Sequence, residues 1–466
     1  MMNKTRNFTK VGTLYLIANV FEKATAFFLL PILTRLLSTT DYGITSTYQS
    51  YLDILGVIIG LSLTNSLRGA IVDYKDSLNE YLSSILFLET LSSLAFTILI
   101  VFVGRFVFPN QYHILVVICP VHAFASIIIS GLSLKCMLEG RYILRTILSV
   151  APPFISIFTS IILIKSMSDN LYLGRVFGMF SVYAVFGIIC YCGIMIRGRG
   201  ALYVKEYWTF GLKYSLPLIF HGLSLIVLHQ MDRIMLTSLY SAAETGIYSV
   251  AYSFGTISLA FVTAMNDVWV PWFYSKMNTL EYDSINKVGR IFNWTCVLLS
   301  LGVMLLSPDV MKLFTNSSYW SGIPVVAILV VGNYFYAICT LPINVLYYTK
   351  KTKMIATSSV IAMILNLVLN WLLIPKYGAM GASVATIASY LTLFALQYIS
   401  GRAKQRELFE ITSFFLPLFV VIVSAVITTL TLDHCLIRWG IVFASTGCFL
   451  FVGIKKWNII ELVKNR

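Results

Sequence analysis

The residues of this chain best suited to chemistry are charged and strongly polar side chains set inside long apolar runs. Glu22 and Lys23 stand midway along the first run, and Lys23 shares a helical face with Asn19 and Tyr15 by i, i+4 spacing. Asp53 lies in the second run and Glu89 in the third. The seventh run carries His221, His229, Gln230, Asp232 and Arg233, and the eighth ends with Asn266 and Asp267. An isolated charge at bilayer depth costs at least about 2.5–3.5 kcal/mol on insertion scales. Such groups therefore face a bundle interior or a watery cavity, where they hold a charged solute or pass an ion. Each also has a plainer reading. Glu22 beside Lys23 makes a mutually neutralising pair that helps insertion, Arg233 snorkels to an interface, and lone histidines are packed and hydrogen-bonded. Asp232 and Arg233 are neighbours about 100° apart on a helix, so adjacency does not pair them.

The elements that must position these groups are membrane spans. Of 466 residues, 58% are apolar and 12% charged, against roughly 45–50% and about 25% in an average soluble domain. Mean hydropathy is +0.82. The chain reads as an all-α polytopic protein whose solvent is the bilayer. About 20 apolar residues cross the hydrocarbon as a helix. Fourteen runs qualify, near 11–37, 44–68, 82–104, 112–138, 142–165, 172–196, 209–239, 245–272, 290–315, 322–348, 353–375, 379–400, 411–431 and 436–454. The last two are the least tied to the rest. With the N-terminus inside, 25 of the 34 basic residues fall on inner loops and seven, among them Arg35, Arg175 and Arg438, on outer ones. That bias places both termini in the cytoplasm. It also accounts for most of the net charge of +14 without any nucleic acid.

An internal repeat orders the spans. Ser38-Thr39-Thr40-Asp41-Tyr42-Gly43-Ile44 returns 203 residues later as Ser241-Ala242-Ala243-Glu244-Thr245-Gly246-Ile247, each joining the first two helices of a half. A weaker echo pairs Arg141 to Val150 with Lys351 to Val360. The expected plan is two pseudo-symmetric six-helix lobes, 1–200 and 201–406, followed by a terminal helix pair and tail, 407–466. Parallel repeats of this kind mark transporters, with the substrate site between the halves.

Enzyme chemistry finds little support. There is no P-loop and no G-x-S-x-G, and no loop is long enough for a soluble catalytic domain. The basic turn Arg197-Gly198-Arg199-Gly200 lacks the further glycine of a dinucleotide loop. Most of the eight cysteines fall in apolar runs without zinc spacing, so neither metal nor cofactor is expected. The basic N-terminus precedes an apolar run too long for a cleavable signal. Pro152-Pro153 and Pro217 break the backbone ladder, which suits either helices that bend during alternating access or helices that are only kinked.

Three stretches resemble one family. They are Phe28-Leu29-Leu30-Pro31-Ile32-Leu33-Thr34-Arg35-Leu36-Leu37 with Asp41-Tyr42-Gly43, then Leu216-Pro217-Leu218 through Asp232-Arg233-Ile234-Met235-Leu236 to Gly246-Ile247-Tyr248-Ser249-Val250-Ala251, and Asn370-Trp371-Leu372-Leu373-Ile374-Pro375-Lys376-Tyr377-Gly378-Ala379-Met380-Gly381-Ala382-Ser383. Together they are similar to the bacterial polysaccharide-export proteins, the lipid-linked O-antigen and capsule repeat-unit flippases of the multidrug, oligosaccharidyl-lipid and polysaccharide exporter superfamily.

The resemblance implies a protein of the bacterial inner membrane. It implies an undecaprenyl-pyrophosphate-linked oligosaccharide as cargo, two lobes in a V around a central cationic cavity, and alternating access. Lys23 and Arg233 then become the cavity positives, with Arg68 at the inner mouth and Arg35 at the outer. An Arg fork suits a pyrophosphate. Tyr15, Asn19, Tyr48, Gln49, Tyr51, Asn65 and Gln230 are candidate walls for sugars. Glu22, Asp53, Asp232 and Asp267 are the candidate ion-coupling groups, for H+ or Na+, and other polysaccharide-assembly membrane proteins are candidate partners. Two other readings stand beside this one: a drug or small-cation exporter of the same superfamily, with acid-lined cavities, and a membrane glycan polymerase, a class that usually shows a large periplasmic loop.

Overall fold

The computed structural model describes residues 29–107 and 109–455. Within them the chain is helical, with no strand. It divides into two compact units, 1–234 and 235–466. The division falls inside one long helix.

In the first unit a helical segment, α1 (29–36), leads into α2 (Thr39–Ile59). Ser38 caps α2 by accepting from the Asp41 amide at 3.1 Å, the side-chain acceptor that an N-terminus requires. α2 ends at a sharp break. Gly60 is followed by Leu61 and Ser62 in the left-handed region, φ 46° and 51°. A 3-10 turn, Leu63–Ser66, and α3 (Leu67–Asp73) then continue at 54° to α2. The expected span 44–68 is thus a bent pair, because the chain leaves helical dihedrals at Leu61 and Ser62.

α4 (Leu78–Val107), α5 (His113–Leu138), α6 (Tyr142–Ser166) and α7 (Leu171–Arg197) are long apolar helices. α6 and α7 pack at backbone distance through Gly178, where an added Cβ would come 2.5 Å from Ser160 Cα. α8 (Lys205–Leu239) follows, and Leu63, Leu67, Tyr81, Ile85 and Ile128 form the core beneath it.

The second unit contains α9 (Ala242–Gly255), α10 (Ile257–Asn278), α11 (Tyr282–Phe314), α12 (Ile323–Ile338), α13 (Thr340–Tyr348), α14 (Thr352–Arg402), α15 (Thr412–Leu430) and α16 (Cys435–Lys455). α12 is its buried centre, walled in by α9, α11 and α14. α14 is two helices joined at Gly378, whose φ of 53° and ψ of −130° only glycine adopts readily. It therefore holds both expected spans, 353–375 and 379–400.

Among the described residues nine helices are long and apolar enough to cross a membrane, or ten with the bent pair counted as one. The difference from fourteen has two sources: α14 carries two of the expected runs, and most of 11–37 and parts of α8 and α16 lie outside the described residues.

The repeat is visible atom by atom. Asp41 Oδ1 accepts from the Tyr172 amide at 3.3 Å, just past the left-handed Asn170. Glu244 Oε1 accepts from the Ala379 amide at 3.1 Å, just past the left-handed Gly378. In each unit the repeat's acid thus caps the start of a distant helix. The weaker echo is real as well. Arg141 N donates to Cys136 O at 2.7 Å and Lys351 N to Leu346 O at 2.8 Å, each after a residue of positive φ, Gly140 or Lys350.

α15 and α16, expected to be the least tied to the rest, both pack on α11. Arg438, expected on an outer loop, is fully buried on α16. It pairs with Asp309 and donates to the carbonyls of Leu305, at 3.1 Å, and Thr431.

Candidate functional site

The polar residues of α2 and α8 meet in the first unit. Gln49 and Asp53 share a face of α2 by i, i+4 spacing, and Gln49 Nε2 donates to Asp53 Oδ1 at 2.9 Å. Gln230 on α8 bridges to that carboxylate, its Nε2 donating to Asp53 Oδ2 at 2.7 Å. The other end of the same amide accepts from Arg233 NH1 at 2.7 Å and from Ser50 Oγ at 3.1 Å. Arg233 NH1 also donates to the His229 carbonyl, 3.3 Å away. One amide therefore stands between a guanidinium and a carboxylate and is satisfied at both ends.

The arrangement has clear electrostatic content. Asp53, Gln230 and Arg233 are all half-buried, so water screens them only in part. The carboxylate accepts two amide donors, and the guanidinium is held by the side-chain oxygen of Gln230. The site can hold an anion against Arg233 or a cation against Asp53. Behind it, Tyr48 Oη and His122 Nδ1 are 2.9 Å apart, buried on the other side of α2, which fits the packed reading of that histidine.

The remaining sequence candidates scatter. Arg35 and Arg68 are exposed, on α1 and α3. Asp232 is buried on α8. Asp267 is exposed on α10 of the second unit. Tyr15, Asn19, Glu22 and Lys23 lie outside the described residues. Sequence reasoning missed Ser50, which nothing in its spacing singles out. It also missed the Asp309–Arg438 pair, whose partners are 129 residues apart. Arg175, assigned to an outer loop, lies one turn into α7 and donates to Ser160 Oγ at 3.0 Å.

Elsewhere in the first unit, an open cavity of about 530 Å³ is lined by Tyr74, Lys205, Glu206, Thr209, Phe210 and Lys213. Tyr74 Oη donates to Glu206 Oε1 at 3.1 Å. Among the described residues no cluster of His, Cys, Asp and Glu is arranged for a metal ion.

Solved structures share this fold. The lipid II flippase MurJ in an inward closed conformation matches with a TM-score of 0.73 at 16% identity, over 97% of this chain and 100% of that one. An inward-facing multidrug resistance MATE family transporter of the MOP superfamily gives 0.64 at 10% identity, covering 83% and 94%. The chain has the all-helical fold of these solved proteins, and it is a multi-pass membrane protein, the class that the composition foretold.

A family model described as polysaccharide biosynthesis protein matches residues 8–277. The chain belongs to that family. A curated relative, the capsular polysaccharide biosynthesis protein CapF of Staphylococcus aureus, is 23% identical over 413 residues, 83% of this chain and 97% of CapF.

Proposed function

We propose that the protein is a flippase, not an enzyme, that carries undecaprenyl-pyrophosphate-linked oligosaccharide repeat units of O-antigen or capsule type from the cytoplasmic to the periplasmic leaflet by alternating access. The observation that carries the reading is Arg233. It is a guanidinium on α8, held by Gln230 in a half-buried polar wall. A planar fork recognises a pyrophosphate better than a point charge does, and Gln49 and Gln230 supply amide groups for sugars. Family membership and the name of CapF support a polysaccharide cargo.

In this reading the lobes are 1–200 and 201–406, with α15 and α16 as an added pair. Lys23, Arg35 and Arg68 supply further positive charge along the path, beside Tyr15 and Asn19. The membrane potential contributes to export, at about 2.3 kcal/mol per elementary charge per 100 mV. Coupling to H+ or Na+ through Glu22, Asp53, Asp232 or Asp267, and association with other polysaccharide-assembly membrane proteins, belong to the same proposal.

Asp53 favours a second reading, a small-cation or drug exporter, because its carboxylate lies in the same polar wall. Deletion of the gene separates the two. Loss of surface polysaccharide with drug tolerance unchanged supports the flippase, and drug hypersensitivity with normal polysaccharide supports the exporter. In the complemented strain, Arg233→Ala is expected to lower surface polysaccharide at least tenfold and Arg233→Lys to restore part of it. Full polysaccharide with Arg233→Ala would remove the proposed site.

A further inference from the structure

Glu89 is an acid that the site above does not use. It sits on α4 and is only 3% exposed. Among the described residues its hydrogen-bond partner is Thr64, whose Oγ1 donates to Oε1 across 3.5 Å, near the limit for such a bond. Among the described residues no basic side chain pairs with it. The ion pairs among them join Glu139 to Lys135 and Arg141, Glu281 to Lys276, Asp433 to Lys312 and Asp309 to Arg438.

The titratable and charged groups on the elements around α4 are engaged elsewhere or face solvent. On α5, Lys135 bonds Asn79 and Glu139 while His122 meets Tyr48. On α7, Arg175 bonds Ser160 and Tyr191 meets Thr90 at 3.5 Å. On α2, Asp53 is held by Gln49 and Gln230. Arg68 and Asp73 on α3 and Lys205, Glu206 and Lys213 on α8 are exposed. Cys136 and Cys190 are buried thiols, and Tyr81 of α4 itself bonds Ser66 at 2.6 Å. An ionised carboxylate in this setting would lack both water and a counter-ion, a state that proteins avoid by keeping the acid protonated.

The position of Thr64 gives that proton a structural consequence. Thr64 lies on the 3-10 turn directly after the α2 break, where Leu61 and Ser62 hold left-handed dihedrals without being glycine. Such residues persist only where their surroundings over-determine them. In transporters, broken helices of this kind are places where ion binding meets helix movement. Counting from its helix start, Glu89 is the twelfth residue of α4, and the twelfth residue of α11 is Asn293. Asn293 cannot titrate and is bonded at both ends, accepting from Tyr334 Oη at 2.8 Å and donating to the Ser413 carbonyl at 3.3 Å.

We propose that Glu89 is a proton-binding site coupled to the break in α2. As the neutral acid it packs dry against Thr64 and holds the bend. When its O–H proton leaves to water, the carboxylate that remains must be hydrated, so the contact with Thr64 opens and the segment around Gly60–Ser66 is released. The inference does not rest on which solute the protein carries.

Infrared difference spectra of the full-length protein in phospholipid vesicles, titrated from mildly acid to mildly alkaline pH, test the site. A carboxylic-acid C=O band that survives to neutral pH is expected in the wild type. It should be absent in Glu89→Gln and shifted in frequency in Thr64→Val, the variant that serves if Glu89→Gln does not fold. Hydrogen exchange of residues 60–66 is expected to rise several-fold at alkaline pH, beyond the chemical rate increase, in the wild type but not in Glu89→Gln. Identical infrared spectra for wild type and Glu89→Gln, an unshifted band in Thr64→Val, or the same exchange response in Glu89→Gln would overturn the proposal.

Discussion

Glu89 and Asn293 occupy matching places in the two units and are treated in opposite ways. Asn293 has a donor and an acceptor waiting for it, Tyr334 and the Ser413 carbonyl, and the second unit closes around a neutral, satisfied amide. Glu89 has one long contact to a hydroxyl on a broken helix. The capping acids show the same contrast. Glu244 caps a helix across Gly378, locked in a conformation reserved for glycine, whereas Asp41 caps one across Asn170, whose φ of 51° and ψ of 50° asparagine tolerates. At these matched places the second unit uses bonded, non-titrating parts where the first uses parts that can change state. Repetition has preserved the backbone plan while, of the two matched positions, the first unit's carries the titratable acid beside a strained break.

This contrast can be broken at four places, in falling order of effect. The largest change is expected in the second unit at Arg438. Arg438→Met would leave Asp309 with only the Trp439 indole and loosen α16 from α11, costing about 3 kcal/mol, the low end for a broken buried pair because Asp309 is partly exposed. It should appear as a lower Tm in detergent. Gly378→Ala comes next. Its Cβ would meet Glu244 Oε1 at 2.9 Å in a conformation strained for alanine, a loss of about 1–3 kcal/mol. Asn170→Gly, the mirror experiment, should stay within about 0.5 kcal/mol.

Asn293→Leu leaves the Tyr334 hydroxyl and the Ser413 carbonyl without partners and should cost about 1–3 kcal/mol. Glu89→Gln, at the matching place, should leave Tm unchanged or raise it. Equal losses at 89 and 293 would erase the distinction between the units. The smallest effects belong to Asp41→Asn and Glu244→Gln. Each keeps an acceptor at a helix N-terminus but removes its charge, worth about 0.3–1 kcal/mol apiece by thermal unfolding.

Much of the fold was legible because lipid imposes one rule: backbone polar groups must bond within their own segment, so apolar runs become helices. The repeat was legible because Ser38 and Ser241 are local caps whose acids stand three residues on. Half of the site could be read too, since Gln230–Arg233 and Gln49–Asp53 are helical neighbours. The join between them was not, because Gln230 and Asp53 are 177 residues apart and no local pattern records which faces pack. The same limit hid Asp309 from Arg438. It also made an outer-loop residue of an arginine that α16 buries, since charge counting assumes that a basic residue near a span end faces water. The α2 break was invisible for a different reason. Leu61 and Ser62 carry no signature of left-handed backbone, and tertiary packing alone puts them there.

The most direct test of the account measures flipping itself. The full-length protein is reconstituted in vesicles with a fluorescent undecaprenyl-pyrophosphate-linked oligosaccharide, and passage of the label to the outer surface is followed under an inside-negative potential. The account predicts transfer by the wild type, loss of most of it with Arg233→Ala, and partial recovery with Arg233→Lys. Transfer by Arg233→Ala at the wild-type rate, or none by the wild type while a small cationic drug is moved, would contradict it.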